Sequence, residues 1–183
     1  MPKSRRIAAS TAALLIGVGL GCQTAAPPPA ANPAVPEVAP SVSGVSLQAD
    51  RDTVLRALGE PGTEAPQEYD DSVYAYGDMT ALEYPGMRLL LVNGMRRRGP
   101  FRVIDIDISQ AVWTVTPGLH VGMDAKEAQR RLPGLKKITD VRRPGQKLLG
   151  YSFDVANTPV GGRLFLRLEK GKVSQITITS DVQ

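Results

Sequence analysis

Two stretches of this chain resemble each other, and this internal similarity limits the possible folds more than any other feature. Residues 44–58 and 118–132 align without a gap. The matched positions are Gly44 with Gly118, Leu47 with Val121, Asp50 with Asp124, Arg56 with Arg130 and Leu58 with Leu132. Alternating apolar runs follow each stretch. Internal similarity of this kind indicates a duplicated unit, and we predict two tandem units, residues 44–116 and 117–183.

Each unit is predicted to begin with a short helix. Asp50 and Asp124 are suitable N-caps, because a carboxylate accepts hydrogen bonds from the free amides of the first turn. Glu127 stands three residues after Asp124, the spacing of a capping box. Gly59 and Pro133 end the two helical patterns.

The rest of each unit is predicted to form strands with one buried face. Ile104, Ile106 and Ile108 alternate with Asp105 and Asp107, the period of a strand that is apolar on one side. In the second unit the predicted buried positions are Leu149, Tyr151, Phe153, Val155, Leu164, Leu166, Leu168, Ile176 and Ile178. Lys170-Gly171-Lys172 is a hairpin signal. The predicted fold class is α+β, with two tandem repeats that each pack a short helix on a small antiparallel sheet.

The amino terminus has the pattern of a secretion signal. Lys3, Arg5 and Arg6 precede an uncharged run at residues 7–20, which is shorter than the roughly 20 residues of a membrane span. A basic start followed by a short apolar centre is typical of a signal peptide. This assigns residues 1–21 to a removable leader.

The residues around Cys22 resemble the lipobox of bacterial lipoproteins. The sequence Val18-Gly19-Leu20-Gly21-Cys22 places a small residue directly before the single Cys of the chain. The resemblance implies cleavage after Gly21 and lipid attachment at Cys22. The other interpretation is an ordinary secretory signal that is cut elsewhere and leaves a free thiol.

The segment after Cys22 is predicted to be a spacer. Residues 24–43 contain six Pro, one charged residue and no aromatic residue, a composition that cannot bury enough apolar surface to fold. Residues 22–43 are therefore interpreted as a lipidated Cys and an Ala/Pro-rich tether, with a Pro-rich docking ligand as the alternative. Gln23, in place of Asp, points to the outer membrane, where several acyl chains hold a protein stably.

Composition argues against several classes of function. One Cys rules out an internal disulfide and a Cys-cluster metal site, and a single His (His120) disfavours acid–base catalysis. Removal of Lys3, Arg5 and Arg6 leaves 19 basic against 18 acidic residues, so the high isoelectric point does not indicate nucleic-acid binding. We expect no enzyme activity, cofactor, metal, nucleic acid or small-molecule substrate.

The helix regions contain Val54–Pro61 (VLRALGEP) and residues 122–128 (GMDAKEA). These stretches resemble the SmpA/OmlA family of small outer-membrane lipoproteins, which includes BamE. It implies an αβ unit and a role in outer-membrane assembly. The doubled unit is also similar to the secreted β-lactamase inhibitor proteins, which implies a protein-binding surface.

Three further features are candidates for binding. Arg96, Arg97 and Arg98 form a basic loop for an anionic partner, or a solvated hairpin. Tyr69, Tyr74, Tyr76 and Tyr84 form an aromatic cluster suited either to a protein interface or to strands. Asp105 and Asp107 share a strand face, which we expect to be exposed to solvent and not to be a metal site.

The two units also differ in charge. Residues 44–109 hold 7 bases and 11 acids, whereas residues 110–183 hold 12 bases and 6 acids. This asymmetry is expected to dock one unit on the other or to steer an external partner.

The sequence therefore predicts a membrane-anchored envelope lipoprotein that binds or scaffolds another envelope protein without catalysis. The alternative is a proteinaceous inhibitor of an envelope or secreted hydrolase.

Overall fold

The computed structural model describes residues 39–67, 78–93, 99–139, 148–155 and 161–181, all within the compact unit Pro33–Gln183. The elements in chain order are α1 (Arg51–Leu58), β1 (Thr63–Gln67), β2 (Met79–Tyr84), β3 (Met87–Val92), β4 (Arg102–Ile108), α2 (Ala125–Arg131), β5 (Lys136–Thr139), β6 (Leu148–Asp154), β7 (Arg163–Glu169) and β8 (Lys172–Thr179). Within these ranges, neither helix is long and apolar enough to span a membrane.

The eight strands form one continuous antiparallel sheet in the order β1-β2-β3-β4-β8-β7-β6-β5. The prediction of two small sheets, each with its own helix, is wrong, because β4 and β8 pair with each other from Asp105↔Thr179 to Ile108↔Ile176. A strand that ends a small sheet leaves its backbone hydrogen-bonding groups unpaired. Pairing β4 with β8 satisfies those groups and merges the two sets of four strands.

A single apolar core lies between the sheet and the two helices. Val54 of α1 and Ala128 of α2 are fully buried. They belong to the same cluster as Leu89, Ile106, Ile108, Leu164, Leu166, Ile176 and Ile178 of the central strands. The helices are short, so their apolar faces are held by this shared packing rather than by intrinsic helix stability.

The two helices begin differently. The Asp50 carboxylate accepts a hydrogen bond of 2.7 Å from the amide of Thr53, which confirms the predicted N-cap of α1. Asp124 has the N-cap position of α2 but makes no side-chain capping bond. The predicted capping box is wrong, because Glu127 instead pairs with Arg130 and Arg131 on the following turn.

Two residues of the predicted alternation are displaced by bulges. Leu90 pairs with Asp105 and Leu91 with Val103, so Ile104 is the extra residue and Val103 takes the buried position. Ile138 pairs with Gly150 and Thr139 with Leu148, so Leu149 is the extra residue and is 43% exposed. Since a bulge changes which residues face the core, the predicted burial of Ile104 and Leu149 is wrong.

The predicted hairpin at Lys170–Gly171 is confirmed. These two residues connect β7 to β8 and have φ angles of 50° and 79°. Two-residue loops with positive φ at both positions match the right-handed twist of the strands that they join. The turn fixes the register that brings Thr177 and Thr179 to the middle of the sheet.

Candidate protein-binding face of the sheet

The side of the sheet opposite the helices, which we call the open face, carries polar side chains. Along β4, Asp107 lies between Ile106 and Ile108, which are fully buried against the helices. Because successive side chains of a strand point to opposite sides, Asp107 belongs to the open face. Its polar and charged members are Glu83, Arg88, Asp105, Asp107, Thr179, Thr177, Gln175, Arg163, Arg167, Ser152, Asp154 and Lys136. Its apolar members include the half-buried Leu90 and Phe165 and the buried Met79, Ala81 and Val92.

Asp107 is held at the junction between β4 and β8. Its Oδ1 atom accepts a hydrogen bond of 2.5 Å from the Thr177 hydroxyl and one of 3.0 Å from the Gln175 amide. Both donors come from the second half of the chain, about 70 residues away. The carboxylate is therefore positioned by contacts that depend on the joining of the two halves.

The carboxyl group of Asp105 has a raised pKa. Burial and, second, the nearby charge of Asp107 raise this pKa to about 6, against weaker lowering effects from the Thr179 hydroxyl and Arg88. Both aspartates are half-buried, rather than exposed as expected from the alternation alone. The centre of the open face thus holds an acidic pair that is poorly neutralised by the protein itself.

Arg88 is the basic residue directly beside this pair, across from Asp107 in the register of β3 and β4. Its guanidinium group, however, is directed to other partners. It forms an ion pair of 3.0 Å with Glu83 and donates a hydrogen bond of 2.9 Å to the side chain of Gln67. Arg88 consequently contributes little to neutralising Asp105, and its effect on the pKa of Asp105 is the smallest of those identified.

The other half of the open face is basic. Arg163 lies opposite Thr179, and Arg167 lies opposite Gln175. Lys136 forms an ion pair of 2.5 Å with Asp154, which Arg163 also approaches at 3.9 Å. The lysine contact lowers the pKa of Asp154. Phe165, half-buried between Thr177 and Ser152, gives this half an apolar centre.

The charge asymmetry predicted from the sequence is therefore present on one surface. On the open face the first half contributes the acids Glu83, Asp105 and Asp107 and the base Arg88, whereas the second half contributes the bases Lys136, Arg163 and Arg167 and the acid Asp154. The halves are joined by backbone pairing of β4 with β8 and by shared apolar packing. Within the described ranges, no ion pair joins the two halves across the open face, so neither half neutralises the charge of the other.

A second concave feature lies beside α2, and we call it the α2 groove. It has a volume of about 830 Å³. Its lining residues are His120, Gly122, Met123, Asp124, Ala125, Lys126, Glu127, Arg130, Arg131, Leu148, Tyr151 and Gly171. Met123 and Tyr151 are almost fully buried, so the groove has an apolar floor and a charged rim.

Most binding residues predicted from the sequence fall on segments of which the structure gives no description. Cys22, Arg96, Arg97, Arg98, Tyr69, Tyr74 and Tyr76 all lie outside the described residues. Tyr84 lies within them and is in the core: it is 7% exposed, and its hydroxyl donates a hydrogen bond of 2.9 Å to the Gly59 carbonyl. Its ring contacts Trp113 edge-on, with 6.4 Å between the centroids. The predicted binding role of the tyrosines therefore applies only to Tyr69, Tyr74 and Tyr76.

Sequence reasoning identified Asp105 and Asp107 but missed the residues that surround them. The pairing of β4 with β8, which supplies Gln175, Thr177 and Thr179, leaves no signal in local periodicity. The Thr residues at alternate positions of β8 were a signal of a polar strand face. Nothing in the sequence placed that face beside the aspartates.

Within the part of the chain that the structure describes, no group of three or more His, Cys, Asp or Glu residues is arranged to hold a metal ion. Comparison with protein-family models, with curated proteins and with solved structures finds no match to this chain. The functional argument therefore depends on the geometry of the open face and on the residues of the sequence.

Proposed function

We propose that this protein is a lipid-anchored protein of the bacterial envelope that binds another protein through the open face of its sheet, without catalysing a reaction. The observation that carries the proposal is the half-buried pair Asp105 and Asp107 at the centre of a broad polar surface. The lipobox-like sequence ending at Cys22 supports the anchor, and the Ala/Pro-rich residues 24–43 support display of the sheet away from the membrane.

The pair favours a partner that presents a basic side chain. Two carboxylates close together in a partly dehydrated site repel each other, and this repulsion is the second cause, after burial, of the raised pKa of Asp105. A Lys or Arg from a partner, placed between Asp105 and Asp107, relieves that repulsion and gains charge-assisted hydrogen bonds. Arg163, Arg167 and Phe165 then lie on the adjacent half of the surface, where they suit an acidic or aromatic group of the same partner.

Site-specific photo-cross-linking in cells identifies the partner and tests the face at the same time. A photoreactive residue replaces Ser152 on the open face in one strain, and the exposed Asp52 of α1 in the control strain. The proposal expects a cross-linked protein with Ser152 that is absent with Asp52. Equal capture from both positions would contradict binding through the open face.

The purified partner then tests the acidic pair. The double variant Asp105→Asn, Asp107→Asn is expected to weaken binding at least about tenfold, since loss of one side of a partly buried charge pair is costly. The matched control, Asp52→Asn, removes an exposed acid from the helix side and is expected to leave affinity unchanged. Unchanged affinity in the double variant, with normal folding shown by circular dichroism, would overturn the proposal.

The same partner separates the two functional classes. If the captured protein is a hydrolase, its activity is measured with increasing amounts of the purified chain. Stoichiometric inhibition that is lost in the double variant supports the inhibitor, whereas retained activity in the complex supports a scaffold.

A further inference from the structure

Tyr151, on the floor of the α2 groove, has an unusual combination of burial and hydrogen bonding. The residue is 3% exposed, yet within the described residues its hydroxyl makes no hydrogen bond. The residue lines the α2 groove.

Tyr84 provides an internal comparison. Both tyrosines lie on a strand next to the edge strand of their half, and both are largely buried. The Tyr84 hydroxyl donates to the Gly59 carbonyl at the end of α1. Tyr151 has no equivalent bond to α2. Because buried polar groups are normally paired, the Tyr151 hydroxyl, which has no partner among the described residues, is a donor for a ligand in the groove.

The rim of the groove adds positive charge. The rim contains three bases, Lys126, Arg130 and Arg131, and two acids, Asp124 and Glu127. Glu127 is paired with both arginines. No described residue forms an ion pair with Lys126. The Nδ1 atom of His120 contacts the Val121 carbonyl at 3.0 Å, and the other ring nitrogen makes no hydrogen bond to a described residue.

The floor between these groups is apolar. Met123 is 4% exposed, and Leu148 is half-buried and packs against the core. A site that combines an apolar floor with a few polar groups at one end is typical of pockets for small ligands, and about 830 Å³ is within the usual range for them.

We propose that the α2 groove binds a small anionic amphiphile, with its acid group held by the Tyr151 hydroxyl and Lys126 and its apolar body against Met123 and Leu148. This inference is independent of the protein-binding role of the open face. The groove is built by α2, β6 and the segment before α2, and it shares no residue with the acidic pair.

Calorimetry with laurate tests the proposal directly. The protein is the full chain carrying Cys22→Ser, so that no attached lipid competes for the groove. Saturable binding of one laurate per chain is expected. Acetate tests the acid group without the apolar body, dodecanol tests the apolar body without the charge, and dodecyltrimethylammonium reverses the charge. All three are expected to bind at least about tenfold more weakly.

Two variants place the ligand in the groove. Tyr151→Phe is expected to weaken laurate binding about five- to tenfold, because it removes one hydrogen bond to a charged group. Lys126→Gln is expected to weaken it about threefold, with Lys136→Gln, an exposed lysine of β5 on the open face, as the matched control. Equal weakening by the two lysine variants would indicate general charge attraction and would contradict the site.

Two other outcomes overturn the proposal. Laurate binding that is unaffected by both Tyr151→Phe and Lys126→Gln would place the ligand elsewhere. Equal affinity for laurate and dodecyltrimethylammonium would show apolar association without recognition of the acid group. Amide chemical-shift changes centred on Gly122, Ala125 and Gly171 support the groove, whereas changes dispersed over the sheet contradict it.

Discussion

The Thr177 hydroxyl on β8 donates a 2.5 Å hydrogen bond to the Asp107 carboxylate on β4. This bond crosses the junction that makes one sheet from the two halves of the chain. It also holds a negative charge next to Asp105. The junction therefore does two things at once: it completes the sheet, and it creates an electrostatically unfavourable carboxylate on the open face.

We predict that Asp105→Asn stabilises the protein at pH 7.5. The pKa of Asp105 is about 6 in the folded state against an ordinary value of 3.8, so the folded protein takes up a proton before the unfolded chain does. This group therefore lowers stability above pH 6, and the lost stability returns as the pH falls from about 6 to about 4. A shift of about two pKa units corresponds to about 3 kcal/mol, and solvent screening at this half-buried site reduces the effect, so the expected gain at pH 7.5 is about 1 to 2 kcal/mol by urea unfolding.

The pH dependence separates this cause from a simple packing effect. The advantage of Asp105→Asn over the wild type is expected to shrink by about 1 kcal/mol between pH 7.5 and pH 5. Asp154→Asn is the control, because Lys136 lowers the pKa of Asp154 and its variant is not expected to be stabilised at pH 7.5. A constant difference between Asp105→Asn and the wild type at both pH values would show that titration of Asp105 is not responsible.

Tyr84→Phe is expected to lower the free energy of unfolding by about 1 kcal/mol, the net value of a typical hydrogen bond. The lost bond is that from its hydroxyl to the Gly59 carbonyl. Tyr151→Phe removes a hydroxyl that has no such bond and is expected to leave stability unchanged within about 0.5 kcal/mol. Chemical denaturation of both variants gives the comparison, and equal losses would refute the difference assigned to the two hydroxyls.

Gly150→Ala is expected to be among the most damaging small substitutions in the sheet. A Cβ atom at Gly150 would overlap the backbone carbonyl oxygen of Leu166 on the neighbouring strand, which cannot move without breaking the pairing of β6 with β7. A loss above about 3 kcal/mol is expected in the free energy of unfolding. At Gly171 a Cβ meets no atom, and the cost is limited to its φ of 79°, about 1 kcal/mol. Similar losses at the two positions would contradict the proposed overlap.

Asp50→Ala and Asp124→Ala are expected to differ in their effect on melting temperature. The Asp50 carboxylate bonds to the Thr53 amide, which also lowers the pKa of Asp50. Asp124 makes no side-chain capping bond. Thermal unfolding followed by circular dichroism should show the larger decrease for Asp50→Ala, and a larger decrease for Asp124→Ala would reverse the assignment of the stronger cap.

Labelled palmitate is expected to enter the wild-type chain and not the Cys22→Ser variant. The lipobox-like sequence before Cys22 is the basis of this prediction. Autoradiography of the immunoprecipitated proteins provides the measurement. Equal labelling of both chains would place the modification at another residue, and absence of label from the wild type would favour an ordinary secretory signal.

Local patterns predicted individual elements well. The strand at Arg163–Glu169 and the turn at Lys170–Gly171 follow from period-two alternation and from turn chemistry within a few residues. The cap at Asp50 follows from the preference of carboxylates for free helix amides. In each case the deciding interaction connects residues that are close in the chain or adjacent along one strand.

The errors arose where residues far apart in the sequence decide the outcome. The pairing of β4 with β8 places Asp105 opposite Thr179. The alternation of apolar and polar residues along each strand is the same in one continuous sheet as in two small sheets, so it could not predict this pairing. The displacement of Ile104 depends on the register of β3. Glu127 binds Arg130 and Arg131 instead of the capping amide, because a carboxylate paired with two guanidinium groups is strongly held.

The same dependence explains why the candidate site was predicted only in part. Asp105 and Asp107 were placed on one strand face from their spacing. Their partial burial and the raised pKa of Asp105 require the neighbouring strand of the other half. The α2 groove likewise combines Tyr151 of β6 with the residues around α2, a contact that no local pattern encodes.

The two outermost strands determine how molecules of this protein behave when crowded together. β1 contains Pro66, which lacks an amide hydrogen, and β5 is four residues long and begins with Lys136 and Lys137. Pro and Lys at such positions oppose the addition of another strand. Neighbouring copies are therefore hindered from polymerising edge to edge into fibrils, even at the high local density of a surface.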